Sequence, residues 1–200
     1  MMSTMTTALP DTKTARRAMI DSQLRTSGVN EEYVLARMLA VPREDFLPAE
    51  KAAQAYTDRA VTFADGHLAS PLFYGKLLLE AAPAPTDRVL VVRGGTGYLA
   101  ALIGPLAGTV TEVTSADAAA LQGADAYDLI VIDGAIEQLP EGLAAALADN
   151  GRIVTGLVLR QVTRLASGRK IAGHVSLQPL EDLGIPVLAA FNAPKRWTFA

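Results

Sequence analysis

The strongest local chemistry in this chain belongs to Gly94-Gly95-Thr96-Gly97, which follow the apolar run Arg88-Val89-Leu90-Val91-Val92 and precede a helical pattern. Glycines let a chain turn tightly and let a ligand approach the backbone, and a helix N-terminus behind them offers unpaired N–H groups to an anion. The spacing imitates the opening of a G-x-G-x-x-G dinucleotide loop, but its third glycine would fall at Leu99 or Ala100. The strand also starts only at Arg88, whereas it normally opens such a domain. A glycine-rich strand–helix turn with no ligand is the plain structural alternative. Asp133, just before Gly134 at the end of another apolar run, points toward the crevice where open α/β sheets bind ligands. Arg93, one residue ahead of the glycines, is placed to form an ion pair with it. His67 reads as an exposed polar residue. The two histidines, His67 and His174, are isolated and cysteine is absent, so no metal site is expected.

These residues need elements to hold them. Ile20 and Leu24 lie four apart in a helical pattern that starts at Thr14 and that Gly28 stops. Asn30 reads as an N-cap, Val34, Leu35 and Met38 as the buried stripe behind it, and Pro42 as its end. Residues 43–65 read as loop. Ser70-Pro71 is a cap with proline at the first helical position, opening a helix over 71–82. Beyond Pro85 the period changes: strands are expected over 88–92, 109–114, 128–132 and 153–159, with helices over 98–107, 116–121 and 140–148. Gly151 is expected to cap the last helix. Segments 161–166, 171–177 and 186–191 read as antiparallel strands. Alternating strands and helices, with helices ahead and a β-rich tail, imply an α/β sandwich around a mostly parallel sheet.

Composition narrows the class. Half of the 200 residues are hydrophobic, enough for a core and against wholesale disorder. A net charge of −3 leaves no cation excess to displace phosphate counterions, so nucleic acid is not an expected partner. No signal peptide or membrane span is legible, which implies a cytoplasmic protein. Residues 1–13 read as a mobile tail, 14–82 as a helical cap with a substrate loop, and 83–200 as the sheet domain. Lys195, Arg196 and Trp197 read as a packed Trp with solvated charges.

Three segments carry a resemblance. Met19-Ile20-Asp21-Ser22-Gln23-Leu24-Arg25, Gly28-Val29 and Val41-Pro42-Arg43-Glu44-Asp45-Phe46-Leu47-Pro48 are similar to the N-terminal region of protein-L-isoaspartate O-methyltransferases. The similarity continues through Ala55-Tyr56-Thr57-Asp58 to the glycine strand, and resumes at Tyr127-Asp128-Leu129-Ile130-Val131 and Gly151-Arg152-Ile153-Val154. The resemblance implies a class I S-adenosylmethionine-dependent methyltransferase-like (Rossmann-like) three-layer sandwich with an N-terminal helical cap. It also implies S-adenosylmethionine as cofactor and isoaspartyl residues of damaged proteins or peptides as substrate. That chemistry is mainly alignment of a nucleophilic carboxylate with a methyl on a good leaving group.

The departures fall on the implied ligand positions. Val91 stands where the family has an acid, and Arg93 replaces the first glycine, while Gly95 and Gly97 are kept. Arg93 is placed either to meet the methionine carboxylate of the cofactor or to fill its pocket. Thr114 takes the position of the ribose-binding carboxylate, and a hydroxyl replaces only part of that acceptor pair. Glu112 or Asp117 could substitute if the register slips. Only residues 115–126 separate Thr114 from Tyr127, so the sheet is expected to be about one edge strand short and to lose adenine-binding wall. Ala69 occupies the position of the family's substrate-loop serine, and Ser70 follows it. Two functions therefore stand: an S-adenosylmethionine-dependent protein-carboxyl methyltransferase of the repair type, or a pseudo-methyltransferase acting as a binding or assembly protein. A third reading places another small anion between Arg93 and the glycine loop. Oligomeric state is not legible.

Overall fold

The computed structural model describes residues 11–64, 66–123 and 126–193. The cap begins with α1 (Thr12–Met19), whose Asp11 side chain accepts from the Lys13 N–H at 3.1 Å. The coil continues as a π-turn, Ile20–Leu24, and a 3₁₀ turn, Arg25–Ser27, and stops where Gly28 takes φ 84°. Helix α2 (Glu32–Ala40) buries Val34, Leu35 and Met38. Its cap residue is Glu31, without a side-chain bond, so the expected cap at Asn30 is one residue early. The stretch read as loop holds two 3₁₀ turns, Arg43–Phe46 and Ala49–Gln54, and β1 (Val61–Phe63), which forms an unforeseen hairpin with β2 (Gly66–Leu68) just beyond it. Three-residue strands are too short for an alternation pattern to announce.

Helix α3 (Pro71–Ala81) starts as expected, with the Ser70 hydroxyl accepting from the Phe73 N–H at 3.2 Å. Then come β3 (Arg88–Arg93), α4 (Tyr98–Ile103), β4 (Thr109–Thr114), α5 (Ser115–Ala119) and β5 (Tyr127–Ile136). Pro105 cannot donate to a continuing helix, so α4 gives way to a 3₁₀ turn, Gly104–Leu106. Helix α6 (Glu141–Ala146) is followed by β6 (Leu147–Leu159), β7 (Val162–Ile171) and β8 (His174–Asp182). Gly151 does not cap α6: the chain is already extended at Leu147, and a Cβ at Gly151 would lie 2.7 Å from the Ala148 carbonyl.

The sheet has six strands in the order β4-β3-β5-β6-β7-β8, parallel across the first four and antiparallel through β7 and β8. This is a Rossmann-like α/β sandwich with an N-terminal helical cap. Segment 186–191 is not a strand. Pairing of β3 with β5 ends at Ile132, and beyond it Ala135 bonds Pro186 and Leu188, giving one parallel bridge to Val187 followed by a 3₁₀ turn, Ala189–Phe191. The described residues between 115 and 126 contain α5 and no strand. Lys195, Arg196 and Trp197 lie outside the described residues.

Strand alternation sends neighbouring residues to opposite faces. Val89, Val91, Leu129 and Val131 pack with Met19, Leu24, Val34 and Met38 of the cap, whereas Leu90, Val92, Ile130 and Ile132 pack under α5 and α6. Each such side chain, fully buried, contributes roughly 1.5–3 kcal/mol against the entropy of folding. Polar clamps tie the layers together. Arg37 donates to the carbonyls of Ala101 and Leu102 near the end of α4, and Arg152 to the carbonyls of Ala81 and Ala82 at the end of α3 and to the Asp87 carboxylate just before β3.

Candidate functional site

The glycine loop joins β3 to α4 at the carboxyl ends of the parallel strands, the expected place for a ligand. Two of its glycines are explained by the protein itself. A Cβ at Gly94 would lie 2.0 Å from the Asp133 carbonyl and 2.6 Å from His67 Nε2. One at Gly95 would lie 2.4 Å from the His67 amide nitrogen. The backbone of β2 therefore lies directly on the loop, and only glycine fits beneath it. Gly97 differs: a Cβ there would meet only the Glu112 carboxylate, at 3.7 Å.

Beneath the hairpin sits a buried polar cluster. Asp133 is fully buried, and its Oδ2 accepts from the Tyr74 hydroxyl at 3.1 Å. The same hydroxyl accepts from the Ala69 N–H at 3.2 Å. Arg43, also fully buried, donates to the carbonyls of Ala55 (2.6 Å) and Ala69 (2.7 Å), with its guanidinium carbon 5.4 and 5.1 Å from the ring centres of Tyr74 and Tyr98. Burial pushes the Asp133 carboxyl up to about 7, against the opposing influence of bonds from Tyr74 and the Gly94 backbone and of the Arg43 charge. His67 donates from Nε2 to the Asp133 carbonyl at 3.2 Å, and burial lowers its affinity for a proton.

These positions revise several expectations. His67 is buried, 6% exposed, because β2 turns it inward onto Gly94. Arg93 is exposed and makes no ion pair with Asp133, whose carboxyl faces Tyr74 in the interior. The Thr114 hydroxyl caps α5, accepting from the Asp117 N–H at 3.1 Å and donating to the Asp117 carboxylate at 2.7 Å. Ala69 is buried, and Ser70 serves as the cap of α3. Val91 lies in the core on the cap side. Gly95 and Asp133 meet around the hairpin, while Gly97 faces Glu112 on β4. Nothing in the sequence marks Tyr74, Tyr98 or Arg43 as a site residue. An arginine two places beyond a buried valine was the one available hint.

The described residues contain no group of three metal-ligating side chains and no helix long and apolar enough to cross a membrane. The family model for protein-L-isoaspartate(D-aspartate) O-methyltransferase matches residues 14–124. This chain belongs to that family. It is 34% identical over 193 residues to a Koribacter versatilis protein-L-isoaspartate O-methyltransferase, covering 84% of this chain and 87% of the relative. A Rhodopseudomonas palustris relative of the same name is 36% identical, with 81% and 91% covered. Among solved structures, a Plasmodium falciparum protein described as a protein-L-isoaspartate O-methyltransferase, in complex with S-adenosyl-L-homocysteine, shares the fold. Its TM-score is 0.66 at 17% identity, over 90% of this chain and 98% of that one. A second protein-L-isoaspartate O-methyltransferase structure gives 0.68 at 18%, over 88% and 67%. Membership in this methyltransferase family makes S-adenosylmethionine the cofactor against which the site has to be measured.

Proposed function

We propose that this chain is a pseudo-methyltransferase, a family member that keeps the fold, does not hold S-adenosylmethionine, and acts as a binding or assembly protein. The observation that carries this reading is that the chain's own groups engage the positions that would hold the cofactor. Gly94 and Gly95 lie under β2, the Thr114 hydroxyl caps α5, and the Asp133 carboxyl is fully buried with one oxygen accepting from Tyr74. Residues 115–126 contain the five-residue α5 where the family resemblance implies a helix, a strand and an adenine-holding loop. A fully buried carboxyl is out of reach of a ribose or an amine in this arrangement, and the Thr114 hydroxyl, which gives its O–H to Asp117 and already accepts one N–H, keeps a single lone pair where a carboxylate would offer several. These residues do not fit the cofactor.

A second reading, methyl transfer to the carboxylate of isoaspartyl residues in proteins or peptides, has one observation in its favour. The Glu112 carboxylate is exposed beside Gly97 and could accept hydrogen bonds from a ribose in place of Thr114. Calorimetric titration with S-adenosyl-L-homocysteine, with a melting scan in excess ligand, separates the two. A ligand at a hundredfold over its Kd adds about 2.7 kcal/mol of stability. The pseudo-methyltransferase gives neither heat nor a melting shift at millimolar ligand. A clear shift, abolished by Glu112→Gln, establishes cofactor binding and calls for an isoaspartyl-peptide methylation assay.

A further inference from the structure

The sheet ends in two unlike edges. At β8, Pro179 has no N–H to offer, the pairing with β7 slips between Leu165 and Ala166, and the strand closes on Glu181 and Asp182. Such features blunt an edge against further pairing. At β4 none of them occurs. Its ladder with β3 runs unbroken from Arg88–Thr109 to Arg93–Thr114, it holds no proline, and five of its six residues are β-branched. The strand expected beyond it is absent among the described residues, where β4 is outermost. We propose that the β4 edge is the surface on which a second copy of this chain docks, strand against strand and antiparallel, joining the two sheets into one. The inference goes beyond the pseudo-methyltransferase reading and does not rest on it, since it uses backbone groups at the sheet edge.

Backbone direction fixes the register. The Thr109 N–H donates to the Asp87 carbonyl at 3.1 Å, so Thr109, Thr111 and Val113 turn their N–H and C=O groups toward β3. Val110 and Glu112 then turn theirs outward. Antiparallel pairing about Thr111 sets Val110 of one copy opposite Glu112 of the other, and each such pair exchanges its N–H···O bonds. Thr111 falls on the two-fold axis opposite its own copy, and Thr109 faces Val113, β-branched pairs that suit facing strands. No like charges stand directly opposite. The two Glu112 residues lie on a diagonal, about 7–8 Å apart, where water and salt screen them. So short a shared edge is smaller than a standard interface, which makes the association reversible and concentration-dependent.

Sedimentation velocity of the full chain, over about a hundredfold range of concentration, tests this. A monomer at the low end and a dimer at the high end are expected. Thr111 is exposed, so Thr111→Lys leaves the monomer folded but sets two ammonium groups face to face, and is expected to weaken association about fivefold. An equal mixture of Thr111→Lys and Thr111→Glu is expected to restore dimers, since only the mixed dimer pairs opposite charges at the axis. If Thr111→Lys does not fold, the absence of cysteine from the chain supplies a second test. Thr111→Cys brings two thiols within disulfide reach at the axis, and oxidised glutathione is expected to link them about tenfold faster than in Ser176→Cys on the β8 edge. A monomer at every concentration overturns the proposal, as does a dimer that Thr111→Lys leaves intact, a failure of mixing to restore it, or equal cross-linking at the two edges. Growth past the dimer also overturns it, because a two-fold interface closes. Binding of S-adenosyl-L-homocysteine would defeat the pseudo-methyltransferase reading while leaving these results as they are.

Discussion

A fully buried arginine is expensive unless every direction of its charge is answered, and Arg43 meets most of that demand with backbone. Two carbonyls and two aromatic faces surround it, and Ala69 O ties it to the segment that follows the hairpin. Replacing it with methionine keeps length and removes the donors, leaving the Ala55 and Ala69 carbonyls buried without them. Arg43→Met is expected to cost about 3 kcal/mol in urea unfolding. Arg43→Lys recovers little of it, because a single ammonium lacks the planar fork that reaches both carbonyls. Full recovery by lysine would show that charge alone matters there. The same logic of internal satisfaction runs through Thr114 and Ser70, hydroxyls that a ligand-centred reading claims and that helix caps use.

At the scale of elements, the hairpin and the glycine loop are one packing unit. Gly95→Ala puts a methyl within 2.4 Å of the His67 backbone, where nothing can rotate away. That substitution is expected to displace β1–β2, seen as protease cleavage within residues 61–69 and a stability loss of about 2 kcal/mol. Gly97→Ala, at φ −81° with only the Glu112 side chain nearby, is expected to cost under about 1 kcal/mol. Equal effects of the two changes would mean that the hairpin does not press on the loop. The π-turn after α1 and the cap of α2 were not legible at residue resolution, because boundary positions follow packing more than local propensity.

The molecule shares one sheet between two cores, and the cap supplies more than half of the buried side chains of one of them. Cap and sheet are therefore expected to unfold together, with far- and near-ultraviolet circular dichroism tracing the same transition. A fragment of residues 83–200 would keep α4 but strip the cap's side chains from the core that Val89, Val91, Leu129 and Val131 share, and is expected not to fold. Two separated transitions, or a folded fragment, would show instead that the cap is an independent unit.

The sequence by itself determined the parallel-sheet architecture, the main strands and the family. Those are written in local periodicity, in Ser70-Pro71, and in motifs that read the same wherever they stand. The resemblance it carries also implies ligand positions at Val91, Arg93 and Thr114. What those residues do was decided only by tertiary structure. His67 reads as surface until β2 folds it onto Gly94; Asp133 reads as a crevice residue until Tyr74 takes its carboxyl. Gly94 and Gly95 read as room for a ligand until β2 is seen to pack against them. The reason is that burial and hydrogen-bond partnership are properties of contacts between segments distant in the chain, and no local pattern records which segment arrives to make them.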